Sequence, residues 1–184
     1  MAWRRRPDVL TGPALTLCAG LWFVGSYAPT GIGWLAALGF SFERYYDLVL
    51  AGLVLTFPGT RLDRLARLIV AALAASMLVR SLTRLLVLDP PVLLSDCAGC
   101  PSNPFAVAPN ATLLESVETV TGTVIVACFA TIIGLVLRRW RAASSPSRRI
   151  LWPVLLAGGV AAAAAAYQNA DLLASVTVDR PLLT

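Results

Sequence analysis

The chain has 184 residues, 58% of them hydrophobic and only 14% charged, with a mean hydropathy of +0.75. A soluble domain carries roughly 45–50% apolar and roughly 25% charged residues, so this composition cannot be wrapped in a water-facing surface, and disordered, coiled-coil, collagen-like and disulfide-rich secreted classes are excluded with it. The formal charge of +5 comes from fifteen arginines and no lysine, and there is no histidine. Histidine-based acid–base catalysis, HExxH zinc sites, Ser-His-Asp triads and phospho-accepting histidines are therefore impossible within these residues. Lysine Schiff bases and P-loop lysines are equally absent. The sequence offers no catalytic residue, no cofactor site and no metal site.

The apolar residues come in long runs, which predicts an all-α, polytopic membrane helical bundle of about five transmembrane helices, forming one domain over residues 1–184. A transmembrane helix needs about 20 mostly apolar residues. The first span is expected at 9–28, LTGPALTLCAGLWFVGSYA, preceded by Arg4, Arg5 and Arg6. A secretory signal would have to be cleaved after Ala28, before Pro29, and its apolar stretch exceeds the usual 7–15 residues, so a retained anchor is expected. The second span is expected at 34–57, interrupted by Glu43, Arg44 and Asp47. A cytoplasmic loop at 58–64 follows, in which Pro58-Gly59 suits the centre of a type II turn.

The third span, 65–88, carries Arg80 and Arg84 one helical turn apart on a shared face. Counting ~1.5 Å per residue from Leu65 puts Arg80 about 22 Å across, close to the far boundary. The outer loop, 89–112, has five prolines and two asparagines between Asp89 and Asn110 and contains Cys97 and Cys100 as a CxxC. It is too polar for a span and too long for a turn, and loops of this length are often functional. The fourth span, 113–137, carries Glu115 and Glu118 in its first turns, and a cytoplasmic loop is expected at 138–150. The fifth, 151–175, includes Gly158, Gly159, six consecutive alanines (161–166) and Asp171. Its small residues leave a narrow helix that neighbours approach closely; Thr119, Gly122 and Thr123 offer the same on the fourth span.

Orientation follows from the arginines. A cytoplasmic N-terminus keeps eleven of the fifteen on the inner side, at Arg4–6, Arg61, Arg64, Arg67, Arg138, Arg139, Arg141, Arg148 and Arg149. The positive-inside rule thus predicts an N-in, multi-pass protein of the cytoplasmic (inner) membrane. Basic loops facing anionic lipid account for the pI, so the lipid bilayer is the expected partner and nucleic acid is not.

Two groups of residues invite a chemical reading. Cys97 and Cys100 lie outside the cytoplasm in this topology, where a disulfide can close. It is a staple on a Pro-rich loop in one reading and a redox pair of a membrane thiol oxidoreductase in the other. Pro101 and Pro104 leave no long helix starting at Cys100 to activate a thiol. The second group is Arg80, Arg84, Glu115 and Glu118, a polar coupling cluster near the outer edge that Glu43, Arg44, Asp47 and Asp171 can also reach. Charges within spans tend to face the bundle interior and mark functional sites. Against this, arginines near a helix end can snorkel to the headgroups. A small transporter would want polar groups at mid-membrane, and no internal repeat is evident.

Three landmarks occur in order: FPGTRLDR at 57–64, CAGCPSNPF at 97–105 and RRWRAASSPSRRILWPVL at 138–155. Together they resemble the N-terminal transmembrane sensor domain of actinobacterial-type two-component sensor histidine kinases, over about residues 10 to 170. The turn departs from the family in having Gly59-Thr60 where Ser-Gly is usual. The resemblance implies a non-catalytic signal-input domain, with a homodimer, a separately encoded kinase domain or a response regulator as partners. Family members continue into a phosphoacceptor helix and an ATP-binding domain that these 184 residues do not include, so the resemblance implies the sensor half alone, a truncated gene product or a fragment. No chemical role transfers with the cysteines.

Overall fold

A computed structural model describes residues 11–56, 63–93 and 100–142, together with 152, 156–160, 162–164 and 167. Among these the chain is all-helical. The elements are α1 (Thr11–Gly25), α2 (Gly33–Phe42), α3 (Tyr45–Thr56), α4 (Arg64–Val87), α5 (Pro90–Leu93, a single turn) and α6 (Ala111–Ala142). Two of them, α4 with 24 residues and α6 with 32, are long and apolar enough to cross a membrane. At ~1.5 Å per residue they measure about 36 and 48 Å.

The α4–α6 pair is the spine of the bundle. Ala66, Ile69, Leu73 and Met77 on α4 face Ile125, Phe129, Ile132 and Val136 on α6, each set recurring every three or four residues. That spacing stacks side chains on one helix face. Ala51 and Leu55 bring α3 into the same core, and Leu55, Leu73, Ile125 and Ile132 are its largest fully buried side chains. On the outside, Leu68, Leu78 and Val79 of α4 and Val120 and Leu137 of α6 are exposed. A water-soluble bundle carries charged and polar residues on that face.

The second expected span, 34–57, is two helices. Helix α2 ends at Phe42, Glu43 and Arg44 form a turn, and α3 restarts at Tyr45 with Asp47 N donating to Arg44 O at 3.0 Å. The last carbonyls of a helix lack partners within it. Here α4 supplies two: Ser81 Oγ donates to the Ser41 carbonyl at 2.6 Å, and Arg84 Nη1 to that of Phe40 at 3.3 Å. Polar groups on α4 thus stabilise a break that the charges at 43 and 44 initiate.

Helix ends otherwise follow local chemistry. Asp63 caps α4, its carboxylate accepting from Ala66 N at 2.7 Å, and Asn110 caps α6 by accepting from Leu113 N at 3.0 Å. Such caps satisfy otherwise orphaned N–H groups. The fourth span is longer than 113–137: α6 runs over Ala111–Ala142, so residues 138–142, expected in a loop, are helical. Arginine is a good helix former and no breaker precedes Ser144–Pro146, so Arg138–Ala142 simply continue the helix. Arg139 uses this position to donate to the Leu55 carbonyl at 2.8 Å, capping the far end of α3. Helix α1 ends at Gly25, short of the expected 28. Its C-terminal end tightens into i→i−3 turns, with Ser26, Tyr27 and Ala28 N donating to Phe23, Val24 and Gly25 O.

Most of the fifth expected span, 151–175, lies outside the described residues, as do Arg4–6, Pro58-Gly59, most of the 138–150 loop and Asp171. The described parts at 152, 156–160, 162–164 and 167 are helical. Trp152 packs at a tilt against Trp140 with ring centroids 5.8 Å apart, and Ala162 joins the core at 5% exposure. A Cβ on Gly158 would lie 2.6 Å from Val54 Cγ2, so a small residue is required there. On α6, by contrast, Gly122 and Thr121 are buried while Thr119 and Thr123 are exposed. Their hydroxyls bond back to carbonyls one turn earlier, Glu115 at 2.8 Å and Thr119 at 2.7 Å, so they are not the close-approach pair expected.

Candidate functional site

Arg80 and Arg84 lie one turn apart near the end of α4, both on the side turned toward α6 and α2. Two cations at this spacing repel. Glu118, from the second turn of α6, resolves the conflict by bonding both. Arg80 Nε donates to Glu118 Oε2 at 2.5 Å; Arg84 Nε donates to Oε1, and Arg84 Nη2 to Oε2 at 3.1 Å. The Arg84 contact is a two-toothed guanidinium–carboxylate fork, the geometry that gives such pairs their strength and directionality. The side chains are 9% exposed for Arg80, 11% for Arg84 and 16% for Glu118. These arginines do not snorkel: their heads are turned into the bundle.

Helix α2 and its turn complete the cluster. Arg84 Nη1 reaches the Phe40 carbonyl and lies 3.7 Å from Glu43 Oε1, which is itself 3.8 Å from Arg44 Nε. The Arg84 guanidinium carbon also sits 4.7 Å from the Phe40 ring centroid, a cation–π contact. One arginine therefore ties α4 to α6 and to α2. Of the four residues expected to form the coupling cluster, the bonds of Arg80 and Arg84 converge on Glu118, while Glu115 stands one turn further out, half-buried. Asp47, expected at the same level, is instead buried on the core face of α3 with Ala51 and Leu55. Its Oδ2 has no hydrogen-bond partner among the described residues.

Beside this cluster lies the end of the segment that joins α4 to α6, where Asn103 is the pivotal residue. Its side-chain amide donates to the Leu88 carbonyl at 2.7 Å and to the Leu85 carbonyl at 2.9 Å, taking two acceptors left over at the end of α4. Its Oδ1 accepts from Phe105 N at 3.0 Å, and its own N donates to Asp89 Oδ1 at 3.1 Å. A further backbone bond, Val107 N to Leu86 O at 2.9 Å, fixes the strap on α4. Sequence reasoning passed over Asn103. Its signal was a lone amide flanked by Ser102 and Pro104, where the backbone cannot supply its own partners. Cys100 is disulfide-bonded, whereas Cys18 and Cys128 are free thiols. Cys97 lies outside the described residues.

Between strap, α2 and α4 is a cavity of about 250 Å³. Its α2 wall runs Gly33, Ala36, Ala37, Phe40, Ser41, one helix face made mostly of small side chains. Arg84 and Leu88 form the opposite wall, with Cys100, Pro101 and Asn103 above. Among the described residues there is no group of three or more acidic, cysteine or histidine side chains able to hold a metal ion.

No family model matches the chain, and neither does any curated protein or solved structure.

Proposed function

We propose that this chain is the non-catalytic, membrane-embedded input domain of a two-component-type sensor. It is read as a five-span protein of the cytoplasmic membrane with its N-terminus inside. The observation that carries this reading is the bond of Glu118 to both Arg80 and Arg84, set among three helices beside a cavity that Arg84 also lines. A buried ion pair is a poor device for stability, because desolvation offsets most of the attraction, but it can specify one arrangement of helices over another. Losing or re-pairing the Arg84 fork would free α2 and α6 to shift against α4, and packed helices shift between discrete arrangements rather than deforming continuously. A signal acts by binding the two arrangements with different affinity.

The two long apolar helices with apolar outer faces support the membrane setting. The arginine distribution supports the orientation, and the three ordered sequence landmarks support the sensor class. The output would pass to a kinase domain or response regulator encoded nearby, with a homodimer of this domain as the transmitting unit.

The test is phosphotransfer profiling in cells. Deleting the gene should change the phosphorylated fraction of one response regulator, resolved by phosphate-affinity electrophoresis. Glu118→Gln at normal membrane abundance should lock that fraction at a fixed level. Unchanged phosphorylation of every response regulator in both strains rejects the sensor reading.

A further inference from the structure

We infer that the cavity between α2, α4 and the outer strap is a binding site for a small amphipathic oxyanion, a carboxylate on an apolar body of about ten non-hydrogen atoms. The inference names the ligand class of the input domain proposed above and rests on that reading.

The cavity is held open by construction. Side chains normally interdigitate to fill such spaces, yet this partly open pocket measures about 250 Å³. A dry cavity of about 150 Å³ already accommodates benzene, so the space here suits a somewhat larger guest. Its roof cannot fall in. The Asn103 bonds tie the strap to the end of α4, and at the top of α2 the Ser102 carbonyl approaches Gly33 so closely that no Cβ would fit between them. Its α2 wall cannot fill it either, since Ala36 and Ala37 are too short to reach across.

The charge of the guest follows from Arg84. Its Nε and one N–H of Nη2 bond the Glu118 carboxylate. Nη1 is differently placed, with the Phe40 carbonyl at 3.3 Å and the Glu43 carboxylate at 3.7 Å. Charge-assisted bonds run at about 2.7–2.9 Å, so both contacts are long, and an oxyanion in the cavity can offer Nη1 a shorter one. Phe40 lines the same cavity and holds the guanidinium against its ring, which keeps the cationic edge in place. Two other polar groups of the lining are already committed: Asn103 Nδ2 to two carbonyls, and the Ser41 carbonyl to Ser81. One cationic end and an apolar remainder select an amphiphile over a sugar, a nucleotide or a hydrocarbon. Binding would draw Arg84 away from Glu43, coupling occupancy to the turn between α2 and α3.

The experiment is saturation binding of radiolabelled octanoate to the purified chain in phosphatidylcholine nanodiscs. Octanoate should bind saturably at one site per chain. Octan-1-ol, the same body without the charge, should compete at least tenfold more weakly. Oleate, too long for the cavity, should not compete. Ala37→Leu, which fills the space without touching Arg84 or Glu118, should weaken octanoate binding at least tenfold, and Ala36→Leu serves as a second filling variant with the same expectation. Absence of octanoate binding, equal competition by octan-1-ol, displacement by oleate, or full binding by both folded filling variants each overturns the inference. None of these readouts depends on signalling. A chain that binds octanoate but changes no response regulator rejects the sensor reading alone, and a chain that signals without binding rejects only the ligand.

Discussion

Asn103 closes the end of α4 from outside the helix: its amide bridges the Leu85 and Leu88 carbonyls, while its own backbone N–H is held by Asp89. The residue is 8% exposed, so nothing from solvent substitutes for it. Asn103→Ala should leave both carbonyls short of a partner, and an unsatisfied buried acceptor costs about 1–3 kcal/mol. The measurement is thermal unfolding of the detergent-solubilised chain, with Asn110→Ala as comparison. Asn110 caps α6 through one exposed bond, and its loss should cost about 1 kcal/mol or less. Equal destabilisation by the two substitutions would contradict the role given to Asn103.

The Arg80–Glu118–Arg84 group makes a prediction in which the sign matters more than the size. Glu118→Leu removes a carboxylate that bonds both guanidiniums, and breaking a buried ionic group by losing one partner costs about 3–5 kcal/mol. Replacing all three residues together, with Arg80→Leu, Arg84→Met and Glu118→Leu, should recover most of that loss. Apolar substitution of a whole buried ionic group is often neutral or stabilising. Unfolding midpoints for the single and triple variants decide it. A triple variant less stable than Glu118→Leu alone would mean that the cluster stabilises the fold outright.

Much of this architecture was legible in the sequence because hydrophobic periodicity and helix-end chemistry are local. The all-helical character and α4 (expected 65–88, found at Arg64–Val87) follow from apolar runs bounded by Asp63 and the Asp89-Pro90 stop. The arginine pair was legible because Arg80 and Arg84 are separated by one helical turn, which fixes their common face without any tertiary knowledge. Its acidic partner was not. Glu115 and Glu118 are three apart on one helix, and only the rotation of α6 against α4 selects Glu118. The break at Glu43-Arg44 was visible as an interruption, but its consequence depends on Ser81 and Arg84, some forty residues away. Asn103 and the cavity were invisible for the same reason. A void is a property of what fails to meet across a gap, and no single segment encodes it.

The small residues near the end of the chain are not interchangeable. A Cβ at Gly158 would press on Val54 at 2.6 Å, whereas one at Gly159 meets nothing within 4 Å. Gly159→Ala should therefore be neutral or slightly stabilising, since alanine favours the helix by about 1 kcal/mol over glycine. Gly158→Ala should destabilise, because overpacking costs about 1–3 kcal/mol, although the contact is with the end of a side chain and not with backbone. Adding Val54→Ala to Gly158→Ala should relieve the clash, and a double-mutant cycle on thermal midpoints measures the coupling. Additive effects would show that this helix does not dock on α3.

Cys100 roofs the cavity as a disulfide-bonded residue, and the strap around it is already tied to α4 by Asn103 and Val107. A structural disulfide resists reduction by the thiol pool, whereas a catalytic one cycles. Native membranes treated with an alkylating mass tag should thus show no labelling at Cys97 or Cys100 before reduction. After full denaturing reduction both should react, with Cys18 and Cys128 as internal controls. If the pair is a staple, Cys100→Ser should also weaken octanoate binding by loosening the roof, without abolishing membrane insertion. A substantial fraction of the pair found reduced in growing cells, rising and falling with external oxidant, would transfer the chain to the thiol oxidoreductase class. The Arg84 fork would then be a structural neighbour of a redox site and not the centre of the mechanism.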